Sequence, residues 1–166
     1  VLDVATGTGR TLQQIRSALP EAELFGLDLS SSYLKQANKY LNSRKSEIVQ
    51  LLKGNAEKMP FKDNSIQAIT CVFLLHELPR DARQNVINEC WRLLESGGVL
   101  VLADSIQIDD SPKFTSIMEN FHKVFHEPYY KDYINDDINS RIKSAGFTEI
   151  KAESHFMTRV WSAIKP

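Results

Sequence analysis

Apolar residues in this chain alternate between short dense runs and longer stretches where they recur every three or four positions. The opening "VLDVA" is a dense run and reads as a short buried strand, with "GTG" as the turn after it. In "RTLQQIRSAL" the residues Leu12, Ile15 and Leu19 fall on one helix face, and Pro20 stops the helix. "AELFGLDL" is a second strand. Ser30, Ser31 and Ser32 supply cap residues for a helix that carries Leu34, Ala37 and Leu41 at helical spacing. "EIVQLLKGNA" is a third strand, and "EKMPFKDNS" a loop broken by Pro60 and the Asp63-Asn64-Ser65 cluster. "IQAITCVFLLHEL" reads as a fourth, strongly buried strand.

Pro79 and Asp81 mark the start of a further helix, with Val86, Ile87, Cys90, Leu93 and Leu94 on its apolar face. Gly97 and Gly98 are expected to end it, and "VLVLADSI" is a fifth strand. Residues 112–127 form another amphipathic pattern, with Phe114, Ile117, Met118, Phe121 and Phe125 on one side. A tyrosine-rich connector, "EPYYKDY", leads to a helix over residues 135–145 that ends at Gly146. The tail, "FTEIKAESHF" then "TRVWSAIKP", reads as an antiparallel strand pair. Strands separated by helices of this length predict βαβ units and a doubly wound α/β domain with a mainly parallel sheet. Without a repeat, low-complexity tract or linker, residues 1–166 read as one domain.

Composition narrows the function classes. A net charge of −1 argues against a domain that grips nucleic acid by broad charge neutralisation. Cys71 and Cys90 sit in apolar stretches and read as buried, reduced thiols. Apolar runs such as "CVFLL" are far too short to span a bilayer, and no signal peptide is visible, so a cytoplasmic location without a membrane span is expected. The chain starts at Val1, inside a strand, which raises the expectation of a missing upstream segment and leaves an organellar signal open.

Ligands of doubly wound sheets bind beyond the carboxyl ends of the strands, at the switch point. Gly7 and Gly9 let the backbone turn tightly and approach a ligand there. About twenty residues after Gly9, Asp28 ends the second strand and can accept bonds from ribose hydroxyls. This predicts a nucleoside-bearing cofactor. The dinucleotide pattern G-x-G-x-x-G/A would need a small residue where Leu12 stands. Asp3 beside the loop repels a pyrophosphate and attracts a sulfonium or ammonium.

In these residues the chain resembles the class I S-adenosylmethionine-dependent methyltransferases. "VLDVATGTG", "LFGLDLS", "GNAEKMPF", "AITCVFLLHEL" and "LLESGGVLVLAD" are similar to the family's five motifs, in the family's order. The likeness is closest to the small-molecule branch that includes the ubiquinone and menaquinone methyltransferases. It implies a seven-stranded Rossmann-like methyltransferase fold with an antiparallel terminal strand, and S-adenosylmethionine as cofactor. It also implies roles by position. Asp3 and the backbone of Ala5, Thr6, Gly7 and Gly9 would cradle the methionyl part. Asp28 would take the ribose and Leu29 the adenine face. Asn55 and Ala56 would meet the adenine edge, although many relatives carry Asp where Asn55 stands. Val72, Phe73 and Leu74 would line the methionine end. The cap helices that precede the first motif in this family are expected to be lacking.

Methyl transfer from a sulfonium needs alignment, and a base only where the acceptor must lose a proton. His76, just past the fourth strand, is the best-placed candidate base, beside the plainer reading of a histidine bonding a loop. Glu77 reads as a helix-start acid. Residues 114–133 are the expected acceptor region, where Phe114, Met118, Phe121 and Phe125 serve as core or as pocket. Tyr129, Tyr130 and Tyr133 either stack on a flat acceptor or pack. His122 and His126, four apart, share a predicted helix face, but without a third ligand nearby no metal site is expected. No Asn/Asp-Pro-Pro-Tyr stretch follows the fourth strand, so a small, partly hydrophobic acceptor is favoured over nucleic acid. The oligomeric state stays open. The alternatives are a nicotinamide-dependent oxidoreductase and a non-catalytic cofactor-binding domain.

Overall fold

A computed structural model of the chain describes residues 1–44 and 49–166. Glu47 and Ile48, expected in the third strand, and the side chain of His122 lie outside the described residues. The strands are β1 (Leu2–Val4), β2 (Leu24–Asp28), β3 (Val49–Lys53), β4 (Ile66–Val72), β5 (Leu94–Ser105), β6 (Thr148–His155) and β7 (Thr158–Ile164). The helices are α1 (Arg10–Ala18), α2 (Ser31–Ser43), α3 (Arg80–Leu93), α4 (Thr115–Val124), α5 (Tyr130–Tyr133) and α6 (Ile138–Ser144).

All seven strands form one sheet in the order β3-β2-β1-β4-β5-β7-β6. The pairs from β3 through β5 are parallel, while β7 runs antiparallel to both β5 and β6. The chain builds outward from β1 to β3, then returns to β4 on the other side of β1, so strand order reverses between β1 and β4. That reversal opens a crevice at the carboxyl ends of these strands. One apolar cluster joins Leu2, Val4 and Ile69 of the sheet to Val86, Ile87, Cys90 and Leu93 of α3 and to Ile142 of α6. A second joins Leu12 of α1 and Leu41 of α2 to Leu24. Cys71 and Cys90 are free and buried, as expected. No helix among the described residues is long and apolar enough to cross a membrane.

Several expectations are corrected. The apolar run of the fourth strand does not stay extended. β4 stops at Val72, Phe73 turns to a φ of +53°, and Leu75–Glu77 form one turn of 3-10 helix. Gly97 and Gly98 do not end α3, which stops at Leu93. The Lys165 ammonium donates to the carbonyls of Trp91 (2.8 Å) and Leu94 (2.7 Å), so the helix end is satisfied without a glycine cap. The two glycines lie instead in an irregular stretch of β5, where the register with β4 jumps from Ile66↔Leu94 to Ala68↔Val99. α4 ends at Val124, so His126 falls beyond the helix, at a φ of +30°, and the expected shared helix face with His122 does not form. The tyrosine connector contains a helical turn of its own, α5.

Candidate functional site

A cavity of about 790 Å³ opens at the carboxyl ends of β1, β2 and β4. Of the residues expected to hold a cofactor, Ala5, Thr6 and Gly7 line it from the loop after β1, and Asp28 and Leu29 from the end of β2. Asn55 and Ala56 line it after β3, and Val72, Phe73 and Leu74 at the end of β4. Asp3 and Gly9 do not line it.

Gly7 has a φ of +54°, and a Cβ built on it would meet nothing within 4 Å, so its backbone faces open space. Its N–H donates to Asp28 Oδ2 at 2.8 Å. Asp28 Oδ1 accepts the Ser30 N–H, also at 2.8 Å. Two backbone amides therefore aim this carboxylate while leaving each oxygen a further lone pair for a ligand. Gly9 has a different job. It caps α1 at a φ of +79°, and a Cβ there would lie 3.2 Å from Ala37 Cβ and 3.3 Å from Leu41 Cγ, on the α2 side. Ala5 at +56° and Phe73 at +53° are left-handed without being glycine, and both border the cavity. Backbone strain of this kind tends to collect at ligand sites.

The apolar surface at the mouth is exposed. Leu29 is 68% exposed and Phe73 49%. Asn55 Oδ1 accepts the Glu57 N–H at 2.9 Å, which holds the loop after β3 in a local turn. Asp3 lies one layer behind the wall. It is 1% exposed and accepts hydroxyl bonds from Thr6 and Thr70, both at 2.6 Å. Burial pushes its carboxyl up to about 6, with Asp28 adding to the rise and the two hydroxyls opposing it.

His76 stands in the 3-10 turn after β4, its side chain 13% exposed. Its Nδ1 lies 2.6 Å from Asp104 Oδ1 at the end of β5. Burial alone would lower the imidazole, but the bond and charge of Asp104, with Glu127 and Glu77, raise it on balance. His76, Glu77 and Glu127 bring one donor atom each within 4.8 Å of one another, the one grouping of this kind among the described residues. Glu77 also lines the cavity.

The acceptor-region residues mostly pack. Met118 is buried in the main core, and Phe121 lies 4.5 Å from Tyr130 and 4.6 Å from Phe125 between ring centres. Tyr133 donates its hydroxyl to the Ser105 carbonyl at 2.7 Å, and Tyr130 shares a 2.7 Å bond with the Ser105 hydroxyl. Tyr129 is 40% exposed.

Three features escape the sequence reading. Asp104 is one; its signal was an acid ending a strand, as in Asp28. The second is Gly26 in β2, where a Cβ would lie 2.6 Å from Leu12 Cδ1. The close helix–strand approach that a third loop glycine would provide is provided here from the strand side. The third is Arg83 of α3, fully buried, whose guanidinium donates to Leu75 O, Tyr129 O, Asp132 and Asp136. It ties the His76 turn to the segment carrying α5.

Comparison with known proteins adds a family. The model of a family described as "Methyltransferase domain" matches residues 1–98. The demethylmenaquinone methyltransferase of Thermotoga maritima is 34% identical over 122 residues, which are 74% of this chain and 50% of that protein. The chain spans about half the length of the curated relatives it matches. Among solved structures, an S-adenosylmethionine-dependent methyltransferase from Aquifex aeolicus superposes with a TM-score of 0.74 at 20% identity, covering 99% of this chain and 81% of that one. Phosphoethanolamine N-methyltransferase 2 from Haemonchus contortus, in complex with S-adenosyl-L-methionine, gives 0.78 at 16% identity, covering 99% and 48%. The motifs, the sheet order with its antiparallel β7 and the family match agree: this chain belongs to the methyltransferase-domain family and has the Rossmann-like fold of the class I S-adenosylmethionine-dependent enzymes.

Proposed function

We propose that the chain binds S-adenosylmethionine and transfers its methyl group to a small, partly hydrophobic or aromatic acceptor. The observation that carries this reading is the pairing of Gly7 and Asp28 across the cavity wall, in a chain of this family. The residues fit the cofactor. Gly7 leaves room for close backbone approach, Asp28 offers aimed acceptors for ribose hydroxyls, and exposed Leu29 offers an apolar face for adenine. Asn55 and Ala56 would meet the adenine edge, and Val72, Phe73 and Leu74 the methionine end. Asp3, from behind Thr6, would place negative charge near a sulfonium.

S-adenosylmethionine supplies an electrophilic methyl group on a good leaving group. The work left to the chain is to align the partners and keep water away. Leu78 on the cavity wall and the half-exposed ring of Phe73, next to the methionine end, suit a partly hydrophobic acceptor. The relatives named for demethylmenaquinone support that acceptor class, and the net charge of −1 favours a small molecule over nucleic acid.

Gly26 changes one argument against a nicotinamide cofactor. Leu12 at the third loop position costs no helix–strand packing here, so that position discriminates less than the sequence pattern implies. The family match favours methyl transfer instead. Incubation with methyl-labelled S-adenosylmethionine and a panel of small phenols, quinols and amines tests the proposal. Label in an acceptor supports it; cofactor binding with label in none of them favours a non-catalytic binding domain.

A further inference from the structure

Asp104 is 1% exposed, and two of its three bonds go to the Leu75–Glu77 turn. Its Oδ2 accepts the Leu75 N–H at 2.8 Å. Its Oδ1 accepts the Ser105 N–H at 2.7 Å and meets His76 Nδ1 at 2.6 Å. Both Asp104 oxygens already accept backbone N–H groups, so the tautomer that fits carries the proton on Nδ1 and leaves Nε2 as the ring's proton-accepting atom. The ring is walled edge-on by Phe73, Tyr130 and Tyr133, at 6.3, 6.0 and 6.2 Å between centres. Both tyrosine hydroxyls are engaged at Ser105. His76 itself does not line the cavity; Phe73, Leu74 and Glu77, on either side of it in the chain, do.

The same carboxylate pins the turn through the Leu75 N–H and holds the rear nitrogen of His76. A carboxylate behind an imidazole serves an oriented base, because it fixes the tautomer and stabilises the imidazolium that forms. We propose that His76 is the proton acceptor for the methyl acceptor, that Asp104 is its positioning residue, and that the acceptor is therefore a phenol or an enol. An amine with a free lone pair would not need this pair. The inference rests on the methyl-transfer reading above.

In the step assigned to these residues, the acceptor's O–H bond breaks and its electron pair stays on oxygen. The proton goes to His76 Nε2, leaving a phenolate or enolate and an imidazolium. Several groups face that imidazolium. Asp104 lies behind it on β5, Glu77 beside it on its own turn, and Glu127 on the segment after α4. Tyr130 and Tyr133 reach it from α5. From α3, Arg83 holds the Leu75 carbonyl and lies 5.5 Å over the Tyr133 ring. Burial opposes the charged ring, and the three carboxylates favour it on balance.

The test uses 4-nitrophenol as probe, read by phenolate absorbance at a pH below its own pKa, with S-adenosylhomocysteine affinity measured in parallel by calorimetry. The wild-type chain should raise the ionised fraction of the probe. His76→Gln should abolish that rise, and Asp104→Asn should cut it about tenfold or more, while both keep S-adenosylhomocysteine affinity within about twofold. In the same Asp104→Asn variant, NMR titration of His76 should give a midpoint lower than wild type. A merely structural Asp104 would leave probe ionisation by a folded Asp104→Asn variant at the wild-type level. Asp104→Glu, which keeps the charge, should restore part of the signal even if the Asn variant folds poorly. No ionisation by the wild-type chain, or full ionisation by His76→Gln, would overturn the proposal. So would loss of the signal on adding EDTA, which would assign the effect to a cation. Absence of S-adenosylhomocysteine binding by the wild type would instead sink the methyl-transfer reading itself.

Discussion

The backbone N–H of Gly7 donates to Asp28 Oδ2 at 2.8 Å, joining the loop after β1 to the end of β2. One carboxylate thereby sets the loop's shape and presents the acceptor atoms proposed for the ribose. Asp28→Ala should weaken S-adenosylhomocysteine binding by roughly 1–3 kcal/mol, the cost of losing charge-assisted bonds. Fluorescence or calorimetric titration of the variant reads this directly. Unchanged affinity would mean that the ribose does not sit at Asp28.

Gly26 of β2 leaves the space that Leu12 of α1 fills. A Cβ on Gly26 would lie 2.6 Å from Leu12 Cδ1, 2.9 Å from Leu51 Cδ2 and 3.0 Å from Thr6 Cγ2. Gly26→Ala should therefore cost about 1–3 kcal/mol by overpacking. Leu12→Ala alone should cost about 2–5 kcal/mol, as a fully buried leucine lost. The double variant should be less destabilised than the two single changes added together, because each relieves the other. Strict additivity in chemical denaturation would contradict this packing account.

The elements were largely legible because most strands are dense apolar runs and α1, α2 and α3 keep clear apolar faces. Where the reading failed, the deciding contact lay far away in sequence. The run "CVFLLHEL" carries no mark that Phe73 turns left-handed, since the turn is held by Asp104, 29 residues from Leu75. The early end of α3 depends on Lys165, 74 residues from Trp91. The cavity lining was legible because loop and strand-end positions follow from the fold: of the residues expected to hold a cofactor, all but Asp3 and Gly9 line it. Their absence from the lining has physical reasons. Asp3 points its oxygens at Thr6 and Thr70, and Gly9 makes room for α2. Three strands end in or near an acid: Asp3, Asp28 and Asp104. That recurrence was the available signal for Asp104.

Asp3 makes stability depend on pH in an unusual direction. Burial is the main cause that raises its carboxyl from 3.8 to about 6, so the folded chain holds this proton more tightly than the unfolded chain. Its contribution is most favourable below about pH 3.8 and is lost as pH rises to about 6, a difference of roughly 3 kcal/mol. Asn at this position can accept from one threonine hydroxyl and donate to the other. Asp3→Asn should therefore be more stable than wild type at pH 7, with the advantage gone near pH 4, as read by denaturation at both pH values. The same change should lower affinity for cationic S-adenosylmethionine more than for neutral S-adenosylhomocysteine. A variant less stable at pH 7 would contradict the assigned cause.

The central claim is that the cavity between the ends of β1, β2 and β4 accepts a methyl donor's nucleoside rather than a nicotinamide dinucleotide. Calorimetric titration of the chain with S-adenosylhomocysteine and, separately, with NADH tests it most directly. Saturable one-site heat with S-adenosylhomocysteine and none with NADH is the expected result. Heat with NADH alone would contradict the claim.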